Sequence, residues 1–228
     1  MLIPGGEFLM GSPDSEEGRC ENEGPQHSVR VPDFYMGRYM VTNEEYDQYL
    51  AENPDANEPT YWADRYYNQP KQPVVGICWQ DARRYARWAG LQLPSESQWE
   101  YACRAGTRTR FYSGDDEKDL ERVGWYRGNS ESKLHPVGEK EPNAFGLYDM
   151  RGNVDEWVED DWHENYSEAP NDGSSWIDDD RGSDRVIRSG CWLNPARSCR
   201  SAFRDRIAPD YRDLDLGFRL VLLPGQPG

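Results

Sequence analysis

The sequence predicts one α+β domain built from short strands, two or three helices and extensive irregular loops. Three observations carry that expectation. Extended β-branched and aromatic segments occupy both ends of the chain, while helix-start signals cluster in its first half. Nine Trp, 14 Tyr and 6 Phe supply large packing surfaces although only 36% of residues are hydrophobic. Finally, 21 Gly and 16 Pro are spread over all 228 residues, with no Pro/Ser linker and no internal repeat to divide them, so residues 1–228 read as a single domain.

The elements follow in order. The opening Pro4-Gly5-Gly6 turn and the stretch from Val29 to Tyr46 predict paired N-terminal strands. Thr42 followed by Glu45 has the capping-box spacing, and Tyr46, Tyr49 and Leu50 recur at helical intervals, predicting a helix near 43 to 52. Pro54, Pro59, Pro70 and Pro73 make 53 to 75 a surface excursion. Trp79, Ala82, Tyr85, Ala86 and Ala89 mark a second helix stopped at Gly90, and Ser95 with Gln98 starts a third that carries Trp99, Ala102 and Cys103 on one face. Residues 106 to 146 read as long irregular connections. From Leu147 to Trp162 the apolar residues should anchor a core while the carboxylates among them are exposed, with Asp160-Asp161 and Asp178 to Asp180 as solvated faces. The segments around Arg185–Trp192, Arg200–Arg206 and Gly217–Leu223 read as closing strands.

Composition excludes several function classes. Lys plus Arg is 26 against 42 Asp plus Glu, a net charge of −16 that disfavours generic nucleic-acid binding. No apolar run approaches the roughly 20 residues of a membrane-spanning helix, and the start shows no secretory pattern. Localisation is therefore expected to be cytoplasmic by default, with surface display or secretion through an unseen system as the other route, and the protein is expected to be a monomer. Five cysteines without a C-x-x-C pair exclude a dense disulfide scaffold, and no P-loop or serine triad is present. His27, His135 and His163 lie far apart without H-x-x-x-H spacing and read as surface or turn residues.

Several separated segments, IPGGEFLMGS, LPSESQWEYACRAG, NAFGLYDMRGNVDEWVED, RVIRSGCW and DLGFRLV, together resemble the formylglycine-generating enzyme, or sulfatase-modifying factor, domain family from about Ile3 through Val221. The resemblance implies a C-type-lectin-like α+β fold. It also implies, for members that oxidise a sulfatase cysteine, a copper site made by two nearby C-terminal thiols, a soft-ligand pair suited to Cu(I). Here Asn194 stands where the first thiol is expected and Cys199 at or near the second, so no catalytic residue is assigned and copper belongs only to the alternative oxidase reading. Cys191, read as a strand residue pointing into the core, does not rebuild the pair. The iron-dependent hercynine sulfoxide synthase branch carries a histidine-rich helical domain that has no counterpart here.

Residues 185 to 221 look most like the variable region of diversity-generating retroelement proteins, which present a diversified ligand-binding surface on a lectin-like scaffold. That resemblance assigns Leu193, Asn194, Ser198, Phe203, Asp205, Ile207, Ala208, Tyr211, Asp213 and Leu214 to a recognition surface for an unknown protein or other macromolecular ligand. The arginines among them, Arg188, Arg197, Arg200, Arg204, Arg206, Arg212 and Arg219, are expected to support the structure by pairing with carboxylates and stacking on Trp192, Phe203 or Tyr211. No cofactor is required on this reading. A structural calcium is implied by the family-like segment Gly152 to Glu156, through the carbonyls of Gly152 and Val154 and the carboxylate of Glu156.

Overall fold

The computed structural model describes residues 1–182 and 184–225. The N-terminal strands are β1 (Leu2–Ile3), β2 (Gly6–Met10), β3 (His27–Val31) and β4 (Phe34–Met36). β2 and β3 form an antiparallel pair, and β1-β4-β9 a small sheet in which β9 (Val221–Leu222) brings the far end of the chain back to its start. The four-stranded sheet has the order β7-β6-β5-β8, built from β5 (Asp155–Asp161), β6 (Arg185–Arg188), β7 (Asp205–Ile207) and β8 (Leu216–Phe218). β8 runs parallel to β5, and the other pairings are antiparallel.

The helices form where the capping signals place them. α1 (Asn43–Glu52) starts at Thr42, whose backbone N–H donates to Glu45 Oε2 at 2.8 Å while Glu45 N–H returns to Thr42 Oγ1. α2 (Trp79–Trp88) packs on α1 through Tyr46 and Tyr85, stacked at 5.3 Å. α3 (Glu96–Arg104) starts at Ser95 with the second capping box. The stretch read as irregular holds one more helix, α4 (Glu117–Val123): Leu120 and Val123, three apart, are buried with Phe111 and Tyr126, and this packing overrides the Gly114–Asp116 turn signal before it.

Two apolar clusters flank the central strand. Trp157, Ile187 and Phe218 face α1 and α2, while Val158 and Val186 face α3 and the N-terminal strands. Every residue of β5 is buried except the half-buried Glu159, which corrects the expectation of exposed carboxylates. Glu156 and Asp161 go inside because arginines follow them, and Asp160 because backbone N–H groups meet it. Arg219 embraces Glu156 with two bonds of 2.7 Å, Arg185 meets Asp161 at 2.8 Å, and Asp160 accepts the N–H groups of Glu96 and Trp176 at 2.8 Å each. Asp160-Asp161 is therefore no solvated face.

The same pairing extends from α3. Glu96 receives Arg204 in a two-bond fork at 2.8 Å, Glu100 receives Arg104 at 2.8 Å and Arg188 at 2.5 Å, and Arg200 pairs with Glu16 and Glu23. Arg188, Arg200, Arg204 and Arg219 thus have the structural role expected of the C-terminal arginines, but the aromatic partners differ: Arg188 lies over Trp99, and Arg204 over Trp162 and Tyr166, because these rings line the same buried layer. His135 also departs from expectation, being buried and stacked on Trp125 at 3.7 Å.

Candidate functional site

Three neighbouring strands deliver side chains to one end of the four-stranded sheet. Asp155 begins β5 and Asp215 immediately precedes the parallel β8, with Asp155 N–H donating to Asp215 O at 2.8 Å. β6 is antiparallel to β5, so its exit lies at that same end, and the positive-φ pair Ser189 and Gly190 turns the chain to present Cys191. Cys191 is buried as expected, yet it lies beyond the strand, and its thiol donates to Asp215 Oδ2 at 3.0 Å. Gly190 N–H and the same thiol stand near the Asp155 carboxylate and partly oppose the effect of its burial.

Burial dominates the electrostatics at this end. Burial and then the neighbouring Asp215 push the Asp155 carboxyl well above the usual range, burial raises Asp215, and burial followed by the two carboxylates raises the Cys191 thiol. A partly open rim stands next to them. Tyr211 is 45% exposed and donates to Asp213 Oδ2 at 2.9 Å; Tyr61 and Tyr67, 5.5 Å apart, sense the charges of Asp213 and Asp215. Leu214, Tyr61 and Tyr67 pack against the cluster that contains Trp192.

The predicted recognition residues divide. Tyr211, Asp213 and Leu214 come together at this rim, on a loop latched by Gly76 N–H to Asp213 O, Arg212 to Gly76 O and the Arg212–Asp81 ion pair. Leu193 is 41% exposed and Asn194 half-buried, but Asn194 Oδ1 accepts Cys191 N–H at 3.1 Å, making it the closing residue of a turn. Asp205 and Ile207 lie on β7, the opposite edge of the sheet from β8, where Asp205 is exposed and Ile207 packs on the α1–α2 cluster; Ala208 beyond them is exposed and Phe203 half-buried. Ser198 is buried in a 3-10 turn, Ala196–Cys199, its N–H bonded to Pro195 O. A cleft of about 370 Å³ opens beside Pro195, Ala196 and Arg197, with Glu117 and Tyr126 across it.

Neither C-terminal thiol has the surroundings of a reactive one. Cys199 is fully buried, and burial with the Asp155 charge raises its thiol. The tight turn leaves little space near it: a Cβ on Gly190 would stand 2.9 Å from Cys199 Sγ. Sequence reasoning missed Asp155 and Asp215 as site residues. Asp215 stands just before a predicted closing strand, but the strand that Asp155 begins was not predicted, and nothing in the sequence says that the two segments are adjacent.

The calcium segment can be tested against the oxygens present. Both Glu156 oxygens accept from Arg219, and Oε2 also takes Trp99 Nε1–H, which leaves one lone pair on Oε1. Gly152 O accepts Ser189 Oγ–H. The neighbouring Asp149, fully buried and raised to about 6 chiefly by burial, keeps Oδ1 without a partner. An orphaned buried carboxylate oxygen beside this segment fits a hard cation.

Comparison with known proteins follows the fold. Residues 1–223 match the sulfatase-modifying factor enzyme 1-like domain. The serine/threonine-protein kinase pkn1 of Chlamydia pneumoniae is 31% identical over 96% of this chain, which spans only 37% of that protein's length. The formylglycine-generating enzyme of Streptomyces coelicolor is 31% identical over 95% of this chain and 87% of its own. Among solved structures, PvdO from Pseudomonas aeruginosa superposes with a TM-score of 0.88 at 35% identity, covering 97% of this chain and 92% of that one. The Treponema denticola variable protein 1 follows at 0.77 and 24% identity, with 99% and 94% covered, a likeness of fold. Among the described residues no helix is long and apolar enough to cross a membrane.

Proposed function

The chain belongs to the sulfatase-modifying factor enzyme 1-like domain family, with its C-type-lectin-like fold, and within it we propose a non-enzymatic role: recognition of a protein or other macromolecular ligand by the C-terminal rim. The observation that carries this reading is the loop bearing Tyr211, Asp213 and Leu214, exposed at its tip and latched by the Arg212–Asp81 pair at its base, beside Tyr61 and Tyr67. An exposed tyrosine on a pre-organised backbone, as Tyr211 is beside the half-buried Tyr61 and Tyr67, buries large area at little entropic cost. Asn194 in place of a thiol, tied into a turn with Cys191, supports the same reading over copper oxidation, since one thiol does not make the two-sulfur pair.

A displayed random-peptide library panned against the domain tests this. Recovered binders are expected to lose at least about tenfold in affinity for Tyr211→Ala, with Glu168→Ala unchanged and the unfolding midpoint held. Equal affinity for both variants would sink the assignment, as would tight Cu(I) binding with turnover in a thiol-oxidation assay. The retroelement origin is tested by the genomic neighbourhood, where a reverse transcriptase and a near-copy of the segment encoding 185 to 221 are expected.

For calcium, Asp149, Glu156 and the carbonyls of Gly152 and Val154 would hold the ion, which would supply structural rigidity beneath Trp157. Removal by a chelator is expected to lower the melting temperature of the domain and not that of Asp149→Asn; identical shifts in both, or none in either, would reject the site.

A further inference from the structure

The Asp155 and Asp215 carboxylates and the Cys191 thiol each offer a ligand atom within 4.8 Å of the other two. The charge pattern around them differs from that of most buried carboxylates in this core. Glu23, Glu96, Glu100, Glu156 and Asp161 each carry an arginine. Asp155 and Asp215 face one another across a thiol, and among the described residues no lysine, arginine or histidine forms an ion pair with either. A buried and a half-buried carboxylate held together without a cation are costly unless a proton or a metal ion joins them. Two strand starts, a strand exit and a positive-φ turn hold the three groups in register, so they are a built cluster on rigid elements.

We propose that Asp155, Cys191 and Asp215 bind a borderline transition-metal dication of the Zn²⁺ class, with its open coordination position toward the tyrosine rim through the half-exposed Asp215. One sulfur with two oxygens suits that class better than calcium, which takes oxygen alone, or Cu(I), which favours several sulfurs. Tetrahedral zinc-type bonds of about 2.3 Å to sulfur and 2.0–2.2 Å to oxygen set the donor atoms about 3.5 Å apart, so the 3.0 Å between Cys191 Sγ and Asp215 Oδ2 opens by about half an ångström when the metal replaces the proton. On binding, the S–H proton that Cys191 now donates to Asp215 leaves to solvent as the sulfur–metal bond forms. The site lies beneath the recognition rim but needs no ligand there.

The probe is CoCl₂ titrated anaerobically into the reduced full chain, read by the near-ultraviolet thiolate-to-cobalt charge-transfer band and by proton release. About one equivalent is expected to bind, with the band abolished by addition of Zn²⁺. Cys191→Ser is expected to remove the band, Asp215→Asn to weaken affinity at least about 100-fold, since loss of an outer-shell partner alone costs 10–100-fold, and Cys20→Ser to leave both unchanged. Absence of a band in the unmodified chain, or its survival in Cys191→Ser, would overturn the proposal. Circular dichroism confirms folding of each variant, and Asp215→Asn decides the outcome where Cys191→Ser does not fold. Tyr211→Ala keeps the cobalt band, so failure of the recognition reading and failure of this one are separable.

Discussion

Exchange of Arg188 for methionine is expected to lower the unfolding free energy by about 3–5 kcal/mol, the cost of removing one partner from a buried ion pair. Arg188 is fully buried on β6, opposite Glu156 in the sheet register, and reaches both Glu96 and Glu100 of α3. It also donates to the carbonyls of Ser201 and Ala202 at 2.9 and 3.1 Å, so methionine leaves four acceptors short of a donor. The double variant Arg188→Met with Glu100→Gln should recover part of the loss, because the unpaired charge is gone. Denaturant midpoints measure both. A loss below about 1 kcal/mol, the worth of a surface pair, would show that this layer does not hold α3 to the sheet.

The same layer sets the acid limit. Burial alone would raise the Glu100 carboxyl, but Arg104 and Arg188 outweigh it and hold Glu100 below its ordinary 4.5. The sign follows: the folded state binds the proton more weakly than the unfolded one. The stabilisation is complete above pH 4.5 and is lost as pH falls below it toward the lower folded value. Glu100→Gln should therefore be most destabilising near neutrality, and its deficit should shrink on acidification below that value.

Gly152→Ala is expected to cost about 3–5 kcal/mol, combining left-handed backbone strain with overpacking. Gly152 has φ +70°, and an added Cβ would stand 2.0 Å from Trp125 O and 2.7 Å from its carbonyl carbon. The backbone cannot yield easily, since Gly152 N–H donates to Ser189 O and Asn153 N–H to Trp125 O at 2.7 Å. Gly106 is the control: its φ is +90°, but nothing stands within 4 Å of an added Cβ. Gly106→Ala should show the strain alone, about 1 kcal/mol. Equal midpoint shifts for the two variants would refute the close approach of the Gly152 and Trp125 segments.

Local signals in this chain were legible where local physics decides. The Thr42/Glu45 and Ser95/Gln98 capping boxes name the starts of α1 and α3 because their hydrogen bonds span three residues. The strand pairs at the N-terminus and the closing strands follow from side-chain type. α4 escaped because its seven residues hold only two buried apolar positions, a signal that becomes meaningful only against Phe111 and Cys199.

The placement of charge was not legible in the same way. Read alone, the sequence DEWVEDD is a polar segment that belongs in water, and its carboxylates were assigned there. Arginines 24 to 63 residues later in the chain, Arg185 and Arg219 among them, reverse that assignment by pairing with Asp161 and Glu156. Helix starts and family segments, and the Asn194 that stands where the resemblance expects a thiol, are properties of short stretches of residues and are read from them directly. Which carboxylates are buried with a cation and which without emerges from the folded chain alone. Ion pairing and desolvation depend on distances between strands, and those distances bring Asp155, Cys191 and Asp215 within 4.8 Å across 60 residues of sequence.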